Sequence, residues 1–172
     1  MILTMESKTQ GKDVFFEFDK YVPCSMYFYD KLLSDLYWRA GNGNTSLIEV
    51  GILNNGLLNS ITVVSISADH VIKREDSYLI ESRIEKGLPI FNTLSWEKNL
   101  EDYKNVFLDN FSINFNFIVG INYIEIKFSM EVVDFYLKNQ GVFLGFNKRN
   151  FLVRVLIVEV DENIISMLKF FY

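Results

Sequence analysis

Phe111-Ser112-Ile113-Asn114-Phe115-Asn116-Phe117, then a Val119-Gly120-Ile121-Asn122 break, then Ile124-Glu125-Ile126-Lys127-Phe128-Ser129-Met130 is the stretch that decides the architecture. Successive side chains on a strand point to opposite faces. Phe111, Ile113, Phe115 and Phe117 therefore share one side of a first strand, with Ser112, Asn114 and Asn116 on the other. Ile124, Ile126, Phe128 and Met130 repeat the scheme in a second strand, so the whole reads as an antiparallel hairpin with one dry face.

Working outward, the same period recurs. Val14, Phe16 and Phe18 alternate within 13–21, and the segment 25–29 is placed to pair with them. Leu47 to Leu53 and Leu58 to Ile66 flank Asn54-Asn55-Gly56, whose Asn-Gly pair predicts a hairpin through a type I′ turn. Segments 77–84, 88–94 and 132–138 read as further strands, and Val142 to Phe146 joins Phe151 to Val160 across Asn147-Lys148-Arg149-Asn150. The last of these is apolar on both faces, which predicts a central strand covered on both sides.

Two or three short helices are expected. Leu32, Leu33, Leu36 and Tyr37 fall at helical spacing within 30–40, and Gly41-Asn42-Gly43-Asn44 supplies a stop. Trp96, Leu100, Tyr103 and Phe107 form an apolar stripe behind a Ser95 N-cap. Asp161 caps a terminal helix carrying Ile164, Ile165, Leu168 and Phe171, expected to cover part of the last strand. No Pro-rich, Gly/Ser-rich or charged linker interrupts the chain. The expectation is one α+β domain over 1–172, dominated by antiparallel β-hairpins with two or three short helices, and with residues 1–12 flexible.

The 172 residues include 49% hydrophobic and 23% charged side chains, a balance that supports a packed core. Seventeen Lys and Arg against 22 Asp and Glu give a net charge of −5, which argues against nucleic acid and favours a basic protein partner. Cys24 is the single cysteine, so no intrachain disulfide forms, and beside Pro23 it reads as a packing residue. The first residues lack the pattern of a secretory signal. The apolar stretch near the carboxyl end, broken by Arg154 and Glu159, is too short to span a bilayer as a helix. A cytoplasmic location without membrane contact is therefore expected.

Chemistry finds little to build on. His70 is the only histidine, and neither it nor Cys24 has the surroundings of a nucleophilic site; one of each assembles no familiar zinc centre. Gly41-Asn42-Gly43-Asn44 lacks the Lys-Ser/Thr ending of a phosphate-binding loop and reads as a turn. Glu75 with Asp76, or Glu101 with Asp102, offer paired carboxylates, but sequence neighbours on a strand or helix point in different directions. Between Asp69 and Asp109, nine acids outnumber six bases. Glu75, Asp76, Glu97, Glu101 and Asp102, mixed with Trp96 and Tyr103, are the candidate partner-binding residues: an acidic rim around aromatic anchors.

The run Leu47-Ile48-Glu49-Val50-Gly51-Ile52, Asn54-Asn55-Gly56, Ile61-Thr62-Val63-Val64, followed by Gly87-Leu88-Pro89-Ile90-Phe91, resembles a layout found among bacterial immunity proteins of polymorphic-toxin and contact-dependent growth inhibition systems. The resemblance implies a small acidic protein without an active site that neutralises a cognate toxin domain by binding it. No catalytic residue, cofactor or metal is then expected. A β-rich ligand-binding domain with an aromatic-lined pocket, or a structural assembly component, are the alternatives.

Overall fold

The computed structural model describes residues 3–29, 33–94 and 106–172. Among them the chain forms fifteen strands: β1 (Met5–Thr9), β2 (Phe15–Glu17), β3 (Cys24–Tyr27), β4 (Leu36–Gly41), β5 (Leu47–Ile52), β6 (Leu58–Ser65), β7 (Val71–Lys73), β8 (Arg83–Lys86), β9 (Leu88–Phe91), β10 (Phe107–Asn110), β11 (Asn116–Val119), β12 (Tyr123–Lys127), β13 (Phe135–Asn139), β14 (Val142–Phe146) and β15 (Leu152–Val158). One α-helix, α1 (Glu162–Phe171), closes the described chain, and a 3-10 turn spans Ala68–His70.

The strands form a six-stranded sheet, β10-β4-β5-β6-β3-β2, a seven-stranded sheet, β7-β11-β12-β15-β14-β13-β8, and a small β1-β9 pair. The inward residues of both large sheets belong to one apolar cluster, which includes Trp38, Ile48, Val50, Ile61 and Val63 from the first and Phe117, Ile124, Ile126, Leu144 and Val155 from the second. Trp38 meets Phe128 edge-on across this core at 5.7 Å between ring centroids. The molecule is therefore a two-layer β structure, with 49% strand against 8% helix, and the expected α+β class is corrected.

The correction has an identifiable source. The segment 30–40, expected as a helix, forms β4 from Leu36 onward, with Leu36, Trp38 and Ala40 buried and Tyr37 and Arg39 half-buried. Period two prevailed because β4 gains partners on both sides, β5 antiparallel and β10 parallel, outweighing a local helical spacing. Phe107 and Leu108, placed in a second helix, lie in β10 instead. The rest of that expected helix, 95–105, lies outside the described residues.

Other expectations hold with adjusted bounds. β5 pairs antiparallel with β6, but the turn has a positive φ only at Gly56, where Gly56 N donates to Leu53 O at 2.8 Å. That pattern is a type I turn followed by a left-handed glycine, replacing the expected type I′. In the stretch 111–130 the ladder runs only from Asn116 to Lys127, with Phe117 opposite Ile126. Before it, Asn110 to Ile113 turns on an Ile113 N to Asn110 O hydrogen bond of 3.1 Å, which leaves Phe111 exposed while Phe115 stays in the core. After it the chain leaves the sheet, and Met130 is exposed rather than packed. The Gly41-Asn42-Gly43-Asn44 segment is a turn, held by the Asn42 side-chain oxygen accepting from the N–H groups of Asn44, Thr45 and Ser46.

β15 is the fourth of seven strands, as its doubly apolar sequence predicts. Val155 and Ile157 enter the main core, whereas Val153, Leu156 and Val158 join a second cluster on the outer face with Ile118, Tyr123, Val133, Tyr136 and Phe143. The expected cover is relocated. Helix α1, capped by Asp161 accepting from Asn163 N at 2.8 Å, sends Ile165 and Leu168 into the main core. The outer face is covered instead by the segment 74–82, whose Tyr78 and Ile80 pack on the second cluster. Because β7 and β8 lie at opposite edges of the sheet, this segment crosses its full width as a strap.

Candidate functional site

The strap bends at Glu75–Asp76 and at Ser82 and has no ladder of its own; between them its side chains alternate, Tyr78 and Ile80 turning inward while Ser77, Leu79 and Glu81 are exposed. It is fixed at several points. Arg74 N donates to Val119 O at 2.9 Å, Ile121 N donates to Asp76 O at 3.3 Å, and Ser82 Oγ donates to Val133 O at 2.8 Å. Lys169, from α1, donates to both Glu75 Oε1 at 2.7 Å and Arg74 O at 3.1 Å.

Glu75 and Asp76, the two predicted partner-binding residues that are described, therefore diverge as neighbouring residues should. Glu75 turns to Lys169 with most of its side chain in solvent. Asp76 accepts the Tyr123 hydroxyl at 2.9 Å and lies 3.5 Å from Arg74. They do not form a catalytic carboxylate pair. Trp96, Glu97, Glu101, Asp102 and Tyr103 lie outside the described residues. Beside Glu75 and Asp76 the surface carries two exposed aliphatic side chains, Leu79 at 76% and Ile121 at 49% exposure, so acids and apolar groups share one ridge.

Beneath the strap is a cavity of about 200 Å³ lined by Arg74, Asp76, Tyr78, Tyr123, Glu125, Tyr136 and Arg154, among others. Glu125 and Arg154 meet diagonally across neighbouring strands, Glu125 lying opposite Leu156 and Arg154 opposite Lys127, with Nε 2.8 Å from Oε1 and both side chains largely buried. Arg154 Nη1 donates to the Tyr136 hydroxyl at a long 3.4 Å. Tyr78 meets Tyr123 edge-on at 6.0 Å. Gly120 makes this packing possible, since a Cβ there would lie 1.9 Å from the Tyr123 ring.

Burial, reinforced by the hydrogen bond to Asp76 and its negative charge, pushes the Tyr123 hydroxyl up to about 12. Burial also raises Tyr136, with Arg154 pulling the other way. Both phenols are thus neutral hydrogen-bonding groups near neutral pH. Cys24 is buried and its thiol is raised by desolvation, which removes the thiolate that nucleophilic chemistry requires. Among the described residues no three His, Cys, Asp or Glu side chains gather as a metal cage, and no helix is long and apolar enough to cross a membrane.

Glu125, Tyr136 and Arg154 escaped the sequence reading. Their signal is a charged residue set into an otherwise apolar run, Glu125 between Ile124 and Ile126 and Arg154 between Val153 and Val155. Compared with known proteins, the chain matches no family model and no curated sequence.

Proposed function

We propose that this chain is a non-catalytic immunity protein that binds and neutralises a cognate bacterial toxin domain. The observation that carries the reading is the ridge of Glu75, Asp76, Leu79 and Ile121, where exposed acids border exposed aliphatic side chains on a strap fixed by hydrogen bonds. Both acids are ion-paired, Glu75 with Lys169 and Asp76 with Arg74, so the ridge holds a partner chiefly through apolar side chains that become dry on docking, while the excess of acids over the whole chain steers a basic one. The net charge of −5 acts in the same direction, and the sequence layout resembling immunity proteins agrees with it.

Co-expression with the product of the neighbouring gene is the test. The wild-type chain is expected to form a stable heterodimer and to relieve toxicity. Leu79→Ser combined with Ile121→Ser should weaken the complex mainly through faster dissociation. Glu75→Lys should slow association a few-fold at low salt, and the difference should shrink as screening shortens the reach of exposed charges to about 8 Å at physiological ionic strength. A folded wild-type chain that neither binds nor protects would sink the reading.

A further inference from the structure

The cavity under the strap has chemistry that the docking ridge does not use. Its two cations are each matched to an acid, Arg74 to Asp76 at 3.5 Å and Arg154 to Glu125 at 2.8 Å, so the walls carry no net charge and no charged pole. A carboxylate, phosphate or ammonium ligand would have to break one of these pairs. A zwitterion needs cations at one end and anions at the other, whereas here they are interleaved. Hydroxyl groups meet the requirement differently, since each one donates and accepts and two adjacent hydroxyls bridge a carboxylate and a guanidinium without displacing either.

The hydrogen-bonding capacity left over has the same mixed character. Glu125 Oε1 meets Arg154 Nε at 2.8 Å, and Arg154 Nη1 makes only a long contact to Tyr136. Tyr136 is 3% exposed, and among the described residues its own hydroxyl proton meets no acceptor. Tyr78, Tyr123 and Tyr136 add aromatic surface against which the C–H side of a ring packs. At about 200 Å³ the space is below the roughly 300–1,000 Å³ that holds a drug-sized molecule, and it fits a single small ring.

We infer that this cavity binds one unit of a neutral saccharide, with vicinal hydroxyls on Glu125 and Arg154 and a further one accepting from Tyr136. The inference is independent of the toxin-binding reading, and its key residues lie under the strap rather than on the ridge. Glucose, galactose, mannose and N-acetylglucosamine, with glycine and acetate as charged comparators, are to be titrated into the labelled full chain while backbone amide shifts are followed by NMR. At least one sugar should give saturable shifts at residues 74–79, 123–125, 136 and 154, with a Kd on the order of 1 mM, and the comparators should not. Tyr136→Phe should weaken that sugar about tenfold, the worth of one hydrogen bond, while leaving the melting temperature within a few degrees of wild type. Tyr78→Leu, which removes an aromatic wall of the cavity, provides a second variant and should also weaken the sugar. The inference is overturned if no sugar produces saturable shifts at about a hundredfold excess over that Kd. It also fails if glycine or acetate binds in preference, or if Tyr136→Phe and Tyr78→Leu both bind as wild type.

Discussion

The two faces of the seven-stranded sheet are built from the same strands to opposite ends. Inward, Phe117, Ile124, Ile126, Val142, Leu144, Val155 and Ile157 are all buried and apolar, and they meet the matching face of the six-stranded sheet. Outward, the same strands present Tyr123, Glu125, Tyr136 and Arg154 among Ile118, Phe143 and Leu156, under a cover only one chain thick. The inner face makes the fold; the outer face has polar groups that packing alone does not demand. Replacing the Glu125–Arg154 pair by apolar residues would satisfy a core equally well, since desolvation offsets most of what such a pair gains.

Substitutions at adjacent positions of β15 test this division most directly. Val155→Asp should remove cooperative unfolding altogether, because an unpaired carboxylate in the main core costs several kcal/mol against a total stability of about 5–15 kcal/mol. Its neighbour Arg154→Met should cost less, about 1–3 kcal/mol in denaturant titration, because Glu125 loses its partner but retains some access to solvent. Arg154→Met combined with Glu125→Leu should regain most of that loss. If the double variant were as unstable as the single one, the pair would be structural and the contrast between the faces would vanish.

Tyr123→Phe should lower stability by about 1 kcal/mol near neutral pH, since Asp76 stays exposed enough to be hydrated when its donor is removed. The pH dependence sharpens the point. A phenol raised from 10 to about 12 in the folded chain holds its proton more tightly there than when unfolded. The stabilisation is therefore complete below about pH 10 and lost as the pH climbs towards 12. The melting temperature of wild type should fall more steeply over that window than that of Tyr123→Phe, and superimposable curves would show that Tyr123 titrates normally. The smallest effect is expected at the surface, where Glu75→Gln should change stability by less than about 1 kcal/mol because its ion pair with Lys169 is mostly hydrated.

Local pairings were legible in the sequence, and distant ones were not. β5 with β6 and β14 with β15 join across short turns, so alternation and turn residues suffice to pair them. β10 with β4, β11 with β7 and β13 with β8 are parallel pairings between segments far apart in the chain, for which no local pattern exists. The misreading of 30–40 as helical follows from that gap, because only the tertiary partners of β4 decide between its two periodicities. The candidate site was half legible for the same reason. The acids at 75 and 76 stand out in composition, but Glu125 and Arg154 meet only once the order of β12 and β15 is known. Leu79 and Ile121 look like ordinary core residues in sequence, and only their exposure marks them.

The length of the strap carries a mechanical consequence. Seven strands span six gaps of about 4.8 Å, or roughly 29 Å from β7 to β8. The ten Cα steps from Lys73 to Arg83 reach at most about 33–36 Å when fully extended. The connection therefore has only a few ångströms of slack, and it behaves as a tie rod joining the two rims of the sheet. Deleting two residues within it would remove about 7 Å of reach and force β7 or β8 to peel from its neighbour. Lengthening it by a few residues would cost little in loop entropy but would let the tie bow outward, so tautness keeps Tyr78 and Ile80 pressed on the sheet.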